Sequence, residues 1–326
     1  MLLATNRAPV VLAPAGQPTY MVNGLLIAQG LMHDNEAKID LALVRSLVDD
    51  QFPDWSGLPI CAVASAGTEN AIFRLGDAMV LRLPRLSRGE AQILTDHTCL
   101  PQLAGLPLLV PAPIALGRPG SAYPYRWAVH RWIDGEQASA TTLPDRRRMA
   151  GDLGRFVRRL AELDADVPHA RPADRARGAP LVCRDAETRA AISGVSDLFD
   201  ATALNRAWER ALAAPAYDGP PRLLHGDLHW GNLLARAGRL HAVIDWGCLA
   251  KGDPAPDLLP AWWLFHAEAR TGFLDAVGPD AAMIERGRGW ALSIALIGLA
   301  YYRDGRNPFL ADMNAVAIQA VLDDLG

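Results

Sequence analysis

The chain has 326 residues, half of them apolar and 21% charged, enough for two lobes with separate cores or one large domain. A net charge of −4, with no face that concentrates positive charge, argues against a nucleic-acid partner. No apolar run reaches the length of a membrane helix; the nearest, Trp290 to Tyr302, is short and interrupted by Ser293 and Gly298. Cys61, Cys99, Cys183 and Cys248 make no C-x-x-C pair and no zinc spacing, so free thiols in a reducing cytoplasm are expected.

Residues 1–31 carry Ala, Val, Pro and Gly without periodicity and one basic residue, Arg7, and they lack the composite pattern of a secretory signal. Organised pattern begins at Met32-His33-Asp34, so residues 1–31 are expected to be an extension and the functional fold to start near Met32. Apolar residues at Leu41, Val44, Leu47 and Val48 predict a helix that stops at Pro53. Short β-type runs follow at Ile60–Ala64, Ala71–Leu75 and Ala78–Leu83, the last two joined by Gly76-Asp77 as a hairpin. A helix carrying Glu90, Ile93 and Leu94 comes next, then strands near Ile114–Gly117 and Trp127–Ile133.

Beyond Gly135 the pattern is helical. Met149, Leu153, Phe156, Val157, Leu160 and Leu163 share one face of an amphipathic helix, while six arginines between Arg146 and Arg159 cover the rest as a solvated surface. Residues 168–180 read as a polar loop and Glu187–Ala214 as a second helical stretch; a β-hairpin follows Pro220-Pro221, and helices fill Asp257–Leu325. The order predicts an α+β, two-lobed fold: an N-terminal lobe over 32–133, rich in strands, and a mainly helical C-terminal lobe over 134–326.

The chemistry concentrates in Leu224-His225-Gly226-Asp227-Leu228-His229-Trp230-Gly231-Asn232 and Val243-Ile244-Asp245-Trp246-Gly247. An Asp, an Asn five residues later and a second Asp beyond a hairpin are the polar parts needed to move a phosphoryl group. One carboxylate can orient a hydroxyl and accept its proton, while an amide oxygen and the other carboxylate can hold Mg²⁺ against nucleotide phosphates. The spacing matches the H-R-D-x-x-x-x-N and D-F-G pattern of protein kinases, with Gly226 in place of Arg and Trp246 in place of Phe. Those replacements point away from protein substrates, as does the short span between Asp245 and Asp257, which has no room for an activation loop.

Together with Gly252-Asp253-Pro254-Ala255-Pro256-Asp257-Leu258, these segments resemble the aminoglycoside phosphotransferase family, kinase-fold enzymes that phosphorylate antibiotics and other small alcohols. The resemblance spans about Met32 to Gly326, with its specific motifs in 224–258. It implies that Asp227 is the catalytic carboxylate, that Asn232 and Asp245 are Mg²⁺ ligands, and that His225 holds the loop by hydrogen bonds. Asp257 is expected to accept backbone N–H groups of the catalytic loop. Arg82 stands where the family places a strand cation, with Glu90 in its partner's position; Arg can grip phosphates bidentately but has no adjustable pKa. Arg85 points to the opposite face of the strand. Ser65-Ala66-Gly67-Thr68-Glu69-Asn70 would form the phosphate cover, with Ser65, Gly67, Thr68 and Asn70 the contact residues. Trp132 and Ile133 would pack on the nucleotide base, without choosing between ATP and GTP.

The reaction implied is Mg²⁺-dependent O-phosphotransfer by a cytoplasmic monomer to a small-molecule alcohol, with neither nucleic acid nor membrane as partner. The acceptor stays open at this point. Asp197, Asp200, Glu209, Glu268, Asp323 and Asp324 could face a polycationic aminoglycoside, whereas Trp262, Trp263, Phe265, Trp290, Tyr301 and Tyr302 could line an aromatic cup for a macrolide. A metabolite kinase acting on an amino alcohol or sugar, and a nucleotide-binding pseudoenzyme, are the alternatives.

Overall fold

Helix α1 (Leu41–Gln51) begins where the Asp40 carboxylate accepts from the Leu43 N–H at 2.9 Å, satisfying one of the donors that a helix start leaves open. It buries Val44, Leu47 and Val48, while Leu41 is left 47% exposed. The structure is a computed structural model that describes residues 19–22, 25–28, 36–63, 69–167 and 177–325. Within the expected extension, β1 (Thr19–Val22) and β2 (Leu25–Ala28) pair as an antiparallel hairpin.

Three strands follow as a meander: β3 (Ile60–Ala62), β4 (Asn70–Leu75) and β5 (Met79–Pro84). β4 and β5 pair from Asn70↔Pro84 to Leu75↔Met79, with Gly76 taking φ +56 at the turn, a conformation that glycine reaches without cost. Period-2 alternation buries Ala71, Phe73 and Leu75 on β4. With β6 (Pro113–Gly117) and β7 (Trp127–Arg131), which follow α2 (Arg88–Cys99), they form a sheet of order β3-β4-β5-β7-β6. The chain divides into two units, Met1–Glu90 with Leu116–Val129, and Ala91–Ala115 with His130–Gly326.

The second unit holds three further small-sheet strands, β8 (Glu136–Gln137), β10 (Leu233–Arg236) and β11 (Arg239–Val243), in the order β11-β10-β8. A separate pair joins β9 (Arg222–Leu224) to β12 (Ala250–Gly252). Around them lie α3 (Arg146–Glu162), α4 (Asp185–Gly194), α5 (Ala201–Leu212), α6 (Pro260–Trp263), α7 (Ala267–Val277), α8 (Ala281–Tyr302) and α9 (Pro308–Asp323). α3 buries Met149, Leu153, Phe156, Val157 and Leu160, each large apolar side chain contributing about 1.5–3 kcal/mol when fully removed from water. Its arginines pair along the outer face, Arg155 with Asp152 and Arg158 and Arg159 with Glu162, as a solvated face does.

The single helical stretch expected over Glu187–Ala214 is two helices. α4 stops at Gly194, and α5 restarts six residues later because the Asp200 carboxylate caps it, accepting from Thr202 N–H at 2.8 Å. Among the described residues no helix is long and apolar enough to cross a membrane. The aromatic group has gone mostly to the core: Trp262, Trp263, Phe265 and Trp290 are buried, whereas Tyr301 is 49% exposed.

One buried ion pair ties α8 to the loop ahead of α6. Arg286 grips Asp253 through Nε at 2.7 Å and Nη2 at 3.2 Å, both side chains being under 10% exposed. Arg286→Ala leaves that carboxylate buried without its partner, and urea unfolding should show a loss of about 3–5 kcal/mol. A loss under about 1 kcal/mol would class the pair with exposed ones.

Candidate active site

The site is built on the chain leaving β9. The N–H groups of His225 and Gly226 both donate to Asp257, at 2.8 Å to Oδ2 and 2.6 Å to Oδ1. One carboxylate on a short 3₁₀ turn, Ala255–Leu258, thus holds two consecutive peptide groups of the loop, as expected from the sequence. Burial pushes its pKa up to about 7, against the two N–H groups that favour the ionised form.

His225 is fully buried. Its Nδ1 accepts from the Asp227 N–H at 3.2 Å, which leaves Nε2 as the protonated nitrogen donating to Ile244 O at 3.1 Å. Burial lowers its pKa, keeping the ring neutral and structural. The Trp246 ring packs edge-on to it at 4.7 Å, itself buried and hydrogen-bonded through Nε1 to Val243 O at 3.1 Å.

Gly226 has φ +79. A Cβ there would lie 2.6 Å from Arg177 Cγ and 3.0 Å from Cys248 O. The loop therefore needs glycine on conformational and steric grounds alike, and the stem of Arg177 occupies the adjoining space.

The Asp227 side chain is 28% exposed, and its two oxygens face different groups. Oδ2 accepts from Asn232 Nδ2 at 3.1 Å and lies 3.5 Å from His229 Nε2; Oδ1 lies 3.7 Å from Arg177 Nη2. Burial raises its pKa, but His229, Arg177 and His225 together hold it well below the usual carboxylate range. His229 Nδ1 accepts from the Gly231 N–H at 3.0 Å, so its Nε2 carries the proton that faces Asp227. Neither His229 nor Arg177 was expected in the site. The signal for His229 was its place two residues after Asp227 in a tight turn; Arg177 is remote in sequence and had none.

Asn232 is 5% exposed, and its amide nitrogen also donates to Asp227 O at 2.8 Å. With the nitrogen engaged, Oδ1 is the atom available to a cation. The hairpin of β10 and β11 pairs Leu233 with Val243, and Ile244 N–H donates to Asn232 O at 2.9 Å, which sets Ile244 level with Asn232 and Asp245 one residue beyond. Asp245 is exposed with φ +59, a left-handed conformation that Asp tolerates better than most. One amide oxygen and one carboxylate suit Mg²⁺, which keeps waters and phosphate oxygens for its remaining positions. Among the described residues no cluster of three His, Cys, Asp or Glu forms a closed metal cage.

Of the expected nucleotide contacts, Ser65, Gly67 and Thr68 lie outside the described residues. Asn70 opens β4 with Oδ1 buried and, among the described residues, lacking a hydrogen-bond partner. Arg82, 9% exposed, sits on β5 opposite Ile72. Glu90, in the first turn of α2, accepts from the Arg126 N–H at 3.0 Å. Arg85 faces away and pairs with Glu36 at 3.4 Å. In the second unit, Trp132 Nε1 donates to Asp134 at 3.0 Å and Ile133 is half-buried. The candidate acidic residues are engaged in other roles: Asp197 pairs with Arg303, Asp200 caps α5, Glu209 pairs with Arg189 and Glu268 with Arg147. Asp323 accepts from Gln319, and Asp324 binds Arg270, Arg288 and the Trp262 indole.

The profile of the phosphotransferase enzyme family matches residues 61–290, and the chain belongs to that family. The fold is that of its solved members. The GDP complex of aminoglycoside 2'-phosphotransferase-IIIa superposes with a TM-score of 0.65 at 17% identity, covering 88% of this chain and 100% of that one. The streptomycin–ATP ternary complex of APH(2″)-IIa gives 0.56 at 16% identity over 88% of this chain and 97% of that one. The macrolide 2'-phosphotransferase MphH from Brachybacterium faecium, as apoenzyme, gives 0.55 at 21% identity over 86% and 97%. No curated protein matches this chain. The protein is an enzyme of the small-molecule kinase class, of kinase-like α+β fold.

Asp257 yields a signed pH dependence. Its folded pKa, about 7, exceeds the value of 3.8 for an unperturbed Asp, so the folded state binds its proton more tightly between those limits. The stability it contributes is full below the lower value and is lost as pH rises through the upper one. Thermal unfolding across that window should show this slope in the wild type and not in Asp257→Asn. The variant turns an amide nitrogen toward one of the two N–H donors, and turnover should fall about 10-fold or more. An unchanged slope in Asp257→Asn would assign the pH dependence to another group.

Proposed function

We propose that this enzyme transfers the γ-phosphoryl group of ATP or GTP to a hydroxyl of a small molecule, with Mg²⁺ required, and that the acceptor is of the antibiotic kind. The reading keeps the protein a cytoplasmic monomer without a nucleic-acid or membrane partner. The observation that carries the chemistry is the division of Asp227: one oxygen beside Asn232 and His229, the other beside Arg177, on a loop held by Asp257. The antibiotic acceptor is supported by the names of the solved structures that share the fold, aminoglycoside and macrolide phosphotransferases.

In this reading Asp227 orients the acceptor hydroxyl. The hydroxyl oxygen bonds to the γ-phosphorus, the bond to the bridging oxygen breaks, the nucleoside diphosphate leaves, and the hydroxyl proton passes to Asp227. Because its surroundings hold the Asp227 pKa low, it is a weak base that takes the proton late, as suits a loose transition state. Asn232 Oδ1 and Asp245 would hold Mg²⁺, which when bound neutralises developing phosphate charge. His229 keeps Asp227 ionised and fixes its rotamer. The metabolite-kinase alternative gains support from the structural partners that engage the acidic residues. The pseudoenzyme alternative loses ground because the chain keeps Asp227, Asn232 and Asp245, the residues such a protein often loses.

Mass detection of the phosphate increment over a panel of aminoglycosides, macrolides, amino alcohols and sugars, with each nucleotide, tests the reading. Asp227→Asn should lower turnover on the accepted substrate by about 10²–10⁴-fold, and EDTA should abolish it until Mg²⁺ is returned. Wild-type turnover in Asp227→Asn would refute the assignment.

A further inference from the structure

Beside Asp227, on the side away from Asn232, stands a pair of arginines that the reaction as described leaves half used. Arg177 places Nη2 3.7 Å from Asp227 Oδ1, on the side away from Asn232 and His229. Its guanidinium carbon lies 5.8 Å from the centroid of the Trp290 ring, and that of Arg184 lies 5.1 Å from the same centroid. Trp290 is 1% exposed. Arg184 is anchored through Nε to Ser293 Oγ at 2.8 Å, and Ser293 Oγ lies 2.7 Å from Thr188 Oγ1. Both hydroxyl residues are fully buried. Arg184 closes no ion pair among the described residues, and Arg177 Nε is buried without a partner.

Two guanidinium groups held on one indole repel each other unless an anion lies between or beside them. Burial first and Arg177 second pull the Arg184 pKa down to about 10, against Glu187 and Cys248, which act to raise it. Asp227 offers one carboxylate to this group, and that carboxylate is shared with Asn232 and His229. Arg177 faces Asp227 at 3.7 Å and Arg184 feels Glu187 but closes no ion pair with it; two guanidinium groups so placed beside the oxygen that must orient a hydroxyl repel a polycation and attract an oxyanion. None of the acidic side chains that would receive a polycation reverses this, since each is engaged elsewhere.

We infer that the acceptor is an anionic alcohol: a small molecule whose reactive hydroxyl is oriented by Asp227 while a carboxylate or phosphate on the same molecule is gripped by Arg184 and Arg177. The inference rests on the phosphotransfer step of that reading and, for the acceptor, departs from the antibiotic toward the metabolite alternative. Arg184 is then the residue that sets specificity, and Arg177 serves both the acceptor's anion and the position of Asp227. Polycationic aminoglycosides are poor ligands of this site, so the fold shared with aminoglycoside phosphotransferases carries a different acceptor preference.

Calorimetric titration of the full chain tests this without requiring turnover, using gluconate and glycerol 3-phosphate as oxyanion probes, glycerol as the neutral control and kanamycin as the polycation. Wild-type protein should bind at least one oxyanion probe, and the comparison of the two separates a carboxylate site from a phosphate site. Arg184→Gln should weaken that binding about 10-fold or more, and Arg184→Lys, which keeps the charge, should recover part of it. In turnover with the preferred anionic acceptor, Arg184→Gln should raise acceptor KM by the same factor while nucleotide KM and kcat stay near wild type. Tighter binding of kanamycin than of either oxyanion, or equal oxyanion binding by wild type and Arg184→Gln, overturns the inference. Absence of Asp227-dependent phosphate transfer to every acceptor would instead overturn the phosphotransfer reading, and the titration would still report the anion preference.

Discussion

The active loop depends on one carboxylate receiving two consecutive peptide N–H groups. Asp257 fixes the peptides of His225 and Gly226, and with both N–H groups aimed at one point the chain must turn through positive φ at Gly226. That turn determines where Asp227 emerges. Asp257 is in turn held from behind. Its 3₁₀ turn begins where Asp253 Oδ1 accepts from the Ala255 N–H at 3.1 Å, and Asp253 is clamped by Arg286 of α8. α8 approaches that turn closely because residue 287 is glycine: a Cβ there would lie 2.8 Å from Leu258 Cβ and 3.0 Å from Ala255 O. The position of Asp227 is thus referred, through a chain of short contacts, to α8.

The same region drives two aspartates in opposite directions. Asp257 is surrounded by apolar packing and meets only neutral donors, so burial dominates and its carboxyl holds a proton up to about pH 7. Asp227 is half-buried, and a histidine N–H, an arginine and an amide group all favour its charge and outweigh the desolvation. Environments that push neighbouring carboxyl groups apart are how one fold obtains a structural acid and an ionised catalytic group at neutral pH. The cost is a low basicity at Asp227, which phosphoryl transfer tolerates because its loose transition state asks more of positioning than of proton abstraction.

Much of this was legible in the sequence where it is local. The helix of Met149 to Leu160, the Gly76 hairpin and the Asp227–Asn232–Asp245 spacing follow from period, turn chemistry and short-range geometry, and the contact of Asp257 with the loop followed from the family resemblance. What was not legible is long-range. The split into α4 and α5 turns on an Asp200 cap that resembles any surface acid until the chain is folded. The acidic residues read as candidates for a polycation site find partners on distant helices, as Asp197 does with Arg303 and Asp324 with Arg270. Arg177 lies in the stretch read as a polar loop without periodicity, and only the fold brings it to Asp227.

Arg177 also gives physical sense to the departure from the kinase pattern at position 226. In H-R-D the arginine beside the catalytic aspartate comes from the loop itself; here the loop residue is Gly226, and its missing side chain leaves room for the stem of Arg177. A cation therefore stands beside Asp227, but it arrives from another segment and approaches Oδ1 rather than the side of Asn232. A loop arginine is bound to the loop's own geometry. One from a separate segment can sit beside Trp290 with Arg184 and face whatever the acceptor carries. The loop itself is held by Asp257, through the N–H groups of His225 and Gly226.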